Sequence, residues 1–354
     1  MTIVENCLWC SSPDLEPFAT RKDGIHIIKC NNCQLVMVRE FPENLDEYYY
    51  SEEYYNAEEA NVDTGYAEIY DLMAPAFLFW QNSFIEEANE EHHKKQFLEI
   101  GCATGNLLEI LRDNQPNLTL TGIDVSKYAV QATKHKGFTA QVAYIEDYAA
   151  QPKLDIIFSS ETMEHLDNLK SFLEGVARNL KDSGTFLFYV PSISTVDAEK
   201  ERDTYLRFNT NLEHLLHFSP EFLQTELTKF FKATVLIKEF KTGFGPCIVG
   251  AVSKDKRNLA NLQELFTALD KNQLPAKPSD VLLKNIVVLG VKFSQFDLAE
   301  QALAEVEKRG VIPQPDQHVL RGLLGYHKGE LHASSKAFEA YLKASPGNLF
   351  AIRS

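Results

Sequence analysis

The chain has 354 residues, a formal net charge of −15, and hydrophobic and charged fractions of 44% and 24%. That length allows two or three domains with a sizeable core, and the composition is ordinary for a soluble globular protein. So acidic a surface repels nucleic acid and anionic membranes, and no Lys/Arg-rich run offers a local exception.

The first ten residues lack the basic start and apolar stretch of a leader, and no run of about 18 apolar residues is present. A reducing, cytoplasmic setting is therefore expected, where thiols stay free or bind metal. No membrane or nucleic-acid partner is expected.

Residues 1–45 are loop-rich and carry CLWC and CNNC. Cys7-x-x-Cys10 and Cys30-x-x-Cys33 have the spacing of a four-thiolate zinc site, two short knuckles meeting across a loop. An iron–sulfur cluster or a pair of disulfides are the alternatives. About 40 residues hold too little core to fold well alone, so such a site would be structural and closed. Residues 46–95 hold half of the tyrosines, including Tyr48, Tyr49, Tyr50, Tyr54 and Tyr55, then AFLFW and an acidic helical stretch. They read as a helical lid whose rings pack on the core, with one or two also walling a substrate pocket.

From 96 to 253 strand-like and helix-like segments alternate, which predicts an α/β domain with a mostly parallel sheet. Strands are expected at Gln96–Ile100, Leu118–Asp124, Thr139–Val142, Leu154–Ser160 and Thr185–Val190. Helices are expected after Gly105, from Ser126, and near Ser219–Phe222, where Ser before Pro signals an N-cap. ATVLIKEF and CIVGAV then form a hairpin around TGFGP. Residues 254–280 read as a helix and a Pro-marked linker, and 281–354 as helices only.

In that tail FDLAEQALAEV (Phe296–Val306) overlays LHASSKAFEAY (Leu331–Tyr341) at an offset of 35, placing Leu303 on Phe338 and Ala299 on Ser334. The period resembles the tetratricopeptide repeat, a helix pair of about 34 residues. Gly322, Gly329, Phe338 and Pro346 match its spacing; His318, Gly325, Ser334 and Tyr341 depart from it. The tail either packs as an appendage, self-associates, or recruits a protein partner.

The stretch FLEIGCATGNLLEIL (Phe97–Leu111) is an apolar strand, a turn of small residues and a helix start. Such a turn can present bare backbone N–H groups to an anionic or nucleotide-like ligand. A dinucleotide fingerprint would need glycines at Gly101, Ala103 and Asn106, and two of the three fail. The pattern acidic-x-G-x-G-x-G fits Glu99, Gly101 and Gly105, with Ala103 at the middle position. In this the chain resembles the Rossmann-like S-adenosylmethionine-dependent methyltransferases.

Later segments extend the resemblance in order. Asp124 ends the second strand, AYIEDYA (Ala143–Ala149) follows the third, and LDIIFSSETMEHLDN and LKDSGTFLFYVPS are similar to the family's fourth and fifth motifs. The terminal hairpin matches its reversed strand pair. The resemblance implies cofactor contacts from Glu99, Gly101, Cys102, Ala103, Gly105, Asp124, Val125, Glu146, Asp147 and Ser160. Glu99 would lie near the methionine ammonium, Asp124 on the ribose hydroxyls and Asp147 on the adenine. Cys102, inside the turn, reads as a small filler and not a nucleophile.

CLWC…IIKCNNCQLVMVREFPENLDEYY resembles the N-terminal zinc module of bacterial methyltransferases acting on sugars and secondary metabolites, and NLEHLLHFSPEFL (Asn211–Leu223) their segment after strand five. The likeness spans about residues 5–253. It implies a small-molecule acceptor, such as a nucleotide-linked sugar.

Methyl transfer needs collinear reactants, exclusion of water and often removal of a proton. At the end of strand four Glu161, Glu164 and His165 fall at i, i+3 and i+4, on one face if helical. His165, His214 or His217, with Glu161 beside them, could serve as general base. Alternatively Glu161, Glu164, His165 and a later histidine hold a divalent ion, since E-x-x-E-H resembles the metal-assisted O-methyltransferases of small-RNA 2′-ends and of ubiquinone synthesis. A third reading is that Glu164 and His165 only pack the turn. From a different class, the chain could be a scaffold whose repeats bind a partner, or an enzyme methylating a protein docked by the repeats.

Overall fold

The computed structural model describes residues 1–21, 23–43, 94–114, 117–193, 213–242, 245–292, 295–310 and 314–344. The tyrosine cluster at 48–55 and the expected lid fall outside those residues. The described residues divide into two compact units, one running from Met1 to Leu259 and one from Ala260 onward.

In the first unit the N-terminal strands are β1 (Thr2–Ile3), β2 (Leu15–Thr20), β3 (His26–Cys30), β4 (Val36–Val38) and β5 (Glu40–Phe41). They are followed by β6 (Lys95–Ile100), α1 (Asn106–Asn114), β7 (Leu118–Asp124), α2 (Lys127–His135), β8 (Thr139–Val142) and β9 (Leu154–Ser160). Then come α3 (Leu169–Asn179), β10 (Leu180–Pro191), β11 (Leu216–His217), α4 (Pro220–Phe231), β12 (Thr234–Thr242) and β13 (Gly245–Ser253). The central sheet has the order β12-β13-β10-β9-β6-β7-β8. β10, β9, β6, β7 and β8 run parallel, and β13 is antiparallel to both β10 and β12. The structure thus has the α/β class with a mostly parallel seven-stranded sheet expected above, with helices in its C-terminal region.

Local chemistry explains the boundaries. Ser126 and Ser219 cap α2 and α4 by accepting from Ala129 N and Phe222 N, and Pro220 occupies the first turn of α4. Central strands read as apolar runs because both faces are covered; Phe186, Leu187, Phe188 and Val190 are all fully buried. β10 begins five residues earlier than the apolar run suggested, since Leu180 pairs with Leu154 before an irregularity leads to Thr185 against Ile156.

The N-terminal region does not fold apart from this sheet. Val4, Cys7, Cys30, Met37 and Phe41 share one hydrophobic cluster with Leu98, Ile157, Phe186 and Phe222. Trp9 packs edge-on against Phe222 at 6.1 Å, and its Nε1 donates to Glu226 at 2.8 Å. A small sheet of order β11-β4-β3-β2 pairs Leu216 with Met37 and His217 with Val36, so a strand from the segment after β10 completes the N-terminal sheet.

The second unit contains α5 (Ala260–Lys271), α6 (Asp280–Lys292), α7 (Phe296–Arg309), α8 (Gln314–His327) and α9 (Leu331–Ala344). α5, read from sequence as part of a linker segment, belongs to this unit: it buries Leu262, Leu265, Phe266 and Leu269, and its Leu269 carbonyl accepts from Gln295 Nε2 at 2.7 Å. A Cβ on Gly290 would stand 3.1 Å from Ala299 Cβ, and one on Gly325 would stand 3.2 Å from Ser334 N. The two close approaches are 35 residues apart at both partners, so α6–α7 and α8–α9 are helix hairpins built on the same contact. Gly325 and Ser334, which depart from the tetratricopeptide spacing, are therefore the residues that let α8 and α9 meet.

No helix among the described residues is long and apolar enough to cross a membrane.

Candidate functional site

The glycine turn sits where β6 hands over to α1 at the carboxyl edge of the central strands. Three of five successive residues adopt left-handed backbone there: Gly101 (φ 70°), Ala103 (φ 44°) and Gly105 (φ 78°). Gly101 N and Cys102 N donate to Ile123 O at 2.9 and 3.1 Å, which stitches the turn to β7. Asp124 completes the stitch, accepting from Ala103 N at 3.0 Å and from Ser126 N at 2.8 Å. The carboxylate read from sequence as a ribose acceptor thus also holds the turn in shape. Val125, half-buried, follows it directly.

Cys102 fills space: a Cβ on Gly122 would lie 2.6 Å from its Sγ, and burial pushes its thiol well up, which suits a packing residue and not a nucleophile. Thr162 closes the other side. A Cβ on Gly101 would lie 2.6 Å from Thr162 Oγ1, so glycine is required there on space as well as on φ.

Ala103 is different, being a residue with a Cβ in a conformation that costs about 1–2 kcal/mol. Ala103→Gly is expected to raise stability by up to about 1 kcal/mol, the relief being partly offset by the greater freedom of glycine in the unfolded chain. A higher urea midpoint with an unchanged slope would show it; a lower midpoint would mean that the methyl group makes contacts worth more than the strain.

Glu99 lies one residue before the end of β6, 6% exposed, and its Oε2 has no hydrogen-bond partner among the described residues. Burial first, and then the neighbouring Asp124, hold its carboxyl well above the usual range. A buried carboxylate oxygen without a donor is costly unless a ligand supplies one. Beyond β8, Tyr144 O accepts from Asp147 N and Tyr148 N in a tight turn at 3.2 and 3.1 Å. Asp147 is exposed on that turn and Glu146 is half-buried, its carboxyl raised chiefly by burial. Ser160 ends β9 and pairs with Tyr189 of β10.

The segment after β9 departs from the helical face expected for Glu161, Glu164 and His165. Glu161 is exposed with φ 46°, and only Met163–His165 forms a single 3₁₀ turn. A left-handed residue cannot extend a helix back to Glu161, so the i, i+3, i+4 argument fails. What gathers is Glu164, His165 and His214, whose ligand atoms all lie within 4.8 Å of one another; Glu161 is not in the group. His165 and His214 meet edge to face at 4.8 Å between ring centroids. Their segments are joined by Leu215 N donating to Glu164 O at 2.8 Å, and His165 Nδ1 lies 3.2 Å from Glu213 O. Glu164 is 1% exposed and neither of its carboxylate oxygens has a partner among the described residues. Burial drives the His165 pKa down to about 4, so its imidazole is neutral at pH 7.

His217 lies elsewhere. It is buried on β11 opposite Val36, with its pKa pushed down to about 3 by burial and by the positive charge of Arg21. It is not among the side chains that gather with Glu164.

The sequence reading missed Thr162, Glu213 and Tyr189, for want of any local pattern. Tyr189 is marked only by its register opposite Ser160, and its carbonyl accepts from Glu161 N at 3.0 Å; burial, and then Cys247 and Glu161, push its phenol up.

The four cysteines form the second cluster, all Sγ atoms within 4.8 Å, with Cys7–Cys33 at 3.5 Å and Cys10–Cys30 at 3.6 Å. Two identical turns present them. Ser11 N donates to Cys7 O and Gln34 N to Cys30 O, while Cys7 N donates to Ser12 O and Cys30 N to Leu35 O. Ser11 and Gln34, each just after the second cysteine of its pair, are both left-handed. A tetrahedron with Zn–S of about 2.3 Å has sulfur–sulfur edges of about 3.8 Å, so the donor set fits zinc in kind, number and spacing.

Residues 76–230 match the family model described as a methyltransferase domain. The chain is 30% identical over 151 residues to malonyl-[acyl-carrier protein] O-methyltransferase 2 of Ilyobacter polytropus, covering 40% of this chain and 54% of the relative. It is 27% identical over 108 residues to trans-aconitate 2-methyltransferase of Mycolicibacterium gilvum, covering 30% of this chain and 42% of the relative. The chain spans about half the length of such curated relatives. Among solved structures it is similar to the plantazolicin methyltransferase BpumL in complex with SAH, at 14% identity and TM-score 0.45, over 60% of this chain and 94% of that one. The parallel sheet with its glycine turn lies within the matched segment, and the central domain has a Rossmann-like methyltransferase fold.

Proposed function

We propose that this chain is an S-adenosylmethionine-dependent methyltransferase acting on a small-molecule acceptor, of the kind represented by nucleotide-linked sugars and secondary metabolites. The observation that carries the reading is the Glu99–Asp124 turn: a buried acidic side chain with an unpartnered oxygen, beside a turn of left-handed residues at the carboxyl edge of a parallel sheet. Sites of open α/β sheets lie at that edge. The domain match over residues 76–230 and the relatives named as methyltransferases support the same reading.

The cofactor supplies an electrophilic methyl group on a cationic sulfonium. In this reading Glu99 accepts from its ammonium, Asp124 accepts from the ribose hydroxyls, and Gly101, Ala103 and Gly105 allow close backbone approach. Val125, Glu146, Asp147 and Ser160 line the adenine and methionine ends. The acceptor meets Glu164, His165 and His214, and its proton leaves to this group. The cysteine cluster holds structural Zn²⁺ and takes no part in the transfer. The helical unit is a candidate surface for a protein partner or self-association.

Calorimetric titration with S-adenosylmethionine, with NAD as control, tests the reading: micromolar binding of the first alone is expected, and silence for both would sink it. Asp124→Ala is expected to weaken cofactor binding tenfold or more, a hydrogen bond to a charged group being worth about 1.5–3 kcal/mol. Unchanged affinity would remove Asp124 from the cofactor site.

A further inference from the structure

We propose that the last turn of α3 clamps the segment carrying Asp147, and that Asn179 is a positioning residue through which this chain selects adenine at the base end of its cofactor. The inference rests on the methyl-transfer reading, in which Asp147 meets the adenine.

Asp147 is exposed, yet the peptides on both sides of it are tied to α3. Before it, Arg178 Nη2 donates to Glu146 O and lies 3.5 Å from Ile145 O. After it, Asn179 Nδ2 donates to Tyr148 O at 2.9 Å, and Asn179 Oδ1 accepts from Ala150 N at 2.7 Å. The same Nδ2 donates to Gly175 O at 2.9 Å, so one buried side chain joins the helix end to the segment at two points. Asp147 N itself donates to Tyr144 O at 3.2 Å. Peptide units are planar, so fixing those on either side of Asp147 fixes the direction in which its side chain leaves the backbone.

The residue types suit the task. Asparagine supplies an acceptor and two donors from one short planar amide. Aspartate would keep the acceptor for Ala150 N but set a charge against the carbonyls of Tyr148 and Gly175. An apolar residue would leave Tyr148 O and Ala150 N without this partner. Gly175 permits the close approach: a Cβ there would stand 2.7 Å from Ile145 O and 3.0 Å from Glu146 N, both main-chain atoms. Burial of Ile145 in one cluster with Phe172 and Val176 of α3 drives the docking. At its start the segment is held by Ala143 N, which donates to Asp124 O at 3.1 Å. The carboxylates read as holding ribose and adenine are thus set at the two ends of one anchored connection.

Two ligands that differ only at the base provide the test: S-adenosylhomocysteine, and its analogue whose purine lacks the exocyclic amino group. Both are titrated calorimetrically into the full, zinc-loaded chain. The wild type is expected to prefer the adenine ligand about tenfold or more, since a group placed to accept from an N–H is left unpaired by the analogue. Asn179→Ala, which removes the bonds, and Gly175→Ala, which displaces the segment, are each expected to abolish most of that preference. The loss should fall on the adenine ligand, with affinity for the analogue little changed. A merely structural role would lower the melting temperature and both affinities alike and keep their ratio. That result, or a preference untouched in either folded variant, would overturn the proposal, as would a wild type that binds the two ligands equally. Silence of the wild type towards both ligands would overturn the methyl-transfer reading itself, and the proposal with it.

Discussion

Cys30→Ser is expected to reduce bound zinc to well under one equivalent and to lower the melting temperature of the whole first unit, not only of the N-terminal strands. Cys30 is fully buried at the end of β3, and its backbone anchors the second knuckle through Gln34 and Leu35. Apparent zinc-binding free energies in small four-ligand modules are about 10–16 kcal/mol, so losing one thiolate removes several times what a point change in a core usually costs. The damage should travel along a connected path. β3 pairs with β4, β4 with β11, Val38 N donates to Leu215 O, and Leu215 N donates to Glu164 O. The cysteine knuckles are thereby linked, strand by strand, to the Glu164–His165–His214 group. Metal analysis and calorimetric melting would check this together. A variant that retains a full equivalent of zinc and melts with the wild type would refute the four-thiolate site.

Glu99→Gln is expected to separate binding from stability. Cofactor affinity should fall about a hundredfold or more, because removing one member of a buried charged pair costs about 2–5 kcal/mol. The ligand-free protein should meanwhile become more stable at neutral pH. The sign follows from the raised carboxyl of Glu99, driven by burial and then by Asp124 from the usual value of 4.5. A group whose folded pKa lies above its unfolded one adds stability that is complete below the unfolded pKa. That stability is lost as pH rises from about 4.5 through the folded value. The amide does not titrate, so the difference in melting temperature between variant and wild type should grow over that interval and then level off. A difference independent of pH would mean that Glu99 is not the buried acid described here. Saturating cofactor should reverse the ranking, since a cation paired with Glu99 stabilises only the carboxylate.

These two residues also show what each level of description contributes. The paired cysteines were legible because a four-thiolate site is written in spacing: CxxC, 19 residues, CxxC. Glu99, Gly101, Gly105 and Asp124 were legible for a similar reason, since a parallel strand, its turn and the next helix are contiguous in the chain. The strand limits Leu118–Asp124 and Leu154–Ser160 coincide with the sequence reading, because apolar runs bounded by turn residues mark strands of the sheet interior; those of Thr139–Val142 coincide too, although this edge strand is largely exposed.

The second cluster was only half legible. Glu164 and His165 are neighbours and a later histidine was expected beside them, but that it is His214 was not written in the sequence, and Glu161, which spacing placed with them, sits on a left-handed backbone outside the group. Periodicity carries weight only where the chain is helical, and here it is a single 3₁₀ turn. His217 was indistinguishable from His214 in sequence, three positions away in NLEHLLHFSPEFL. What separates them is that β11 pairs with β4 and buries His217 opposite Val36, near Arg21. By itself, then, the sequence determined the elements, the glycine turn and the cysteine spacing, all properties of local chain chemistry. Only the tertiary structure decided which histidine joins Glu164 and that the knuckles share a sheet with that segment, because both depend on pairings between residues far apart in the chain.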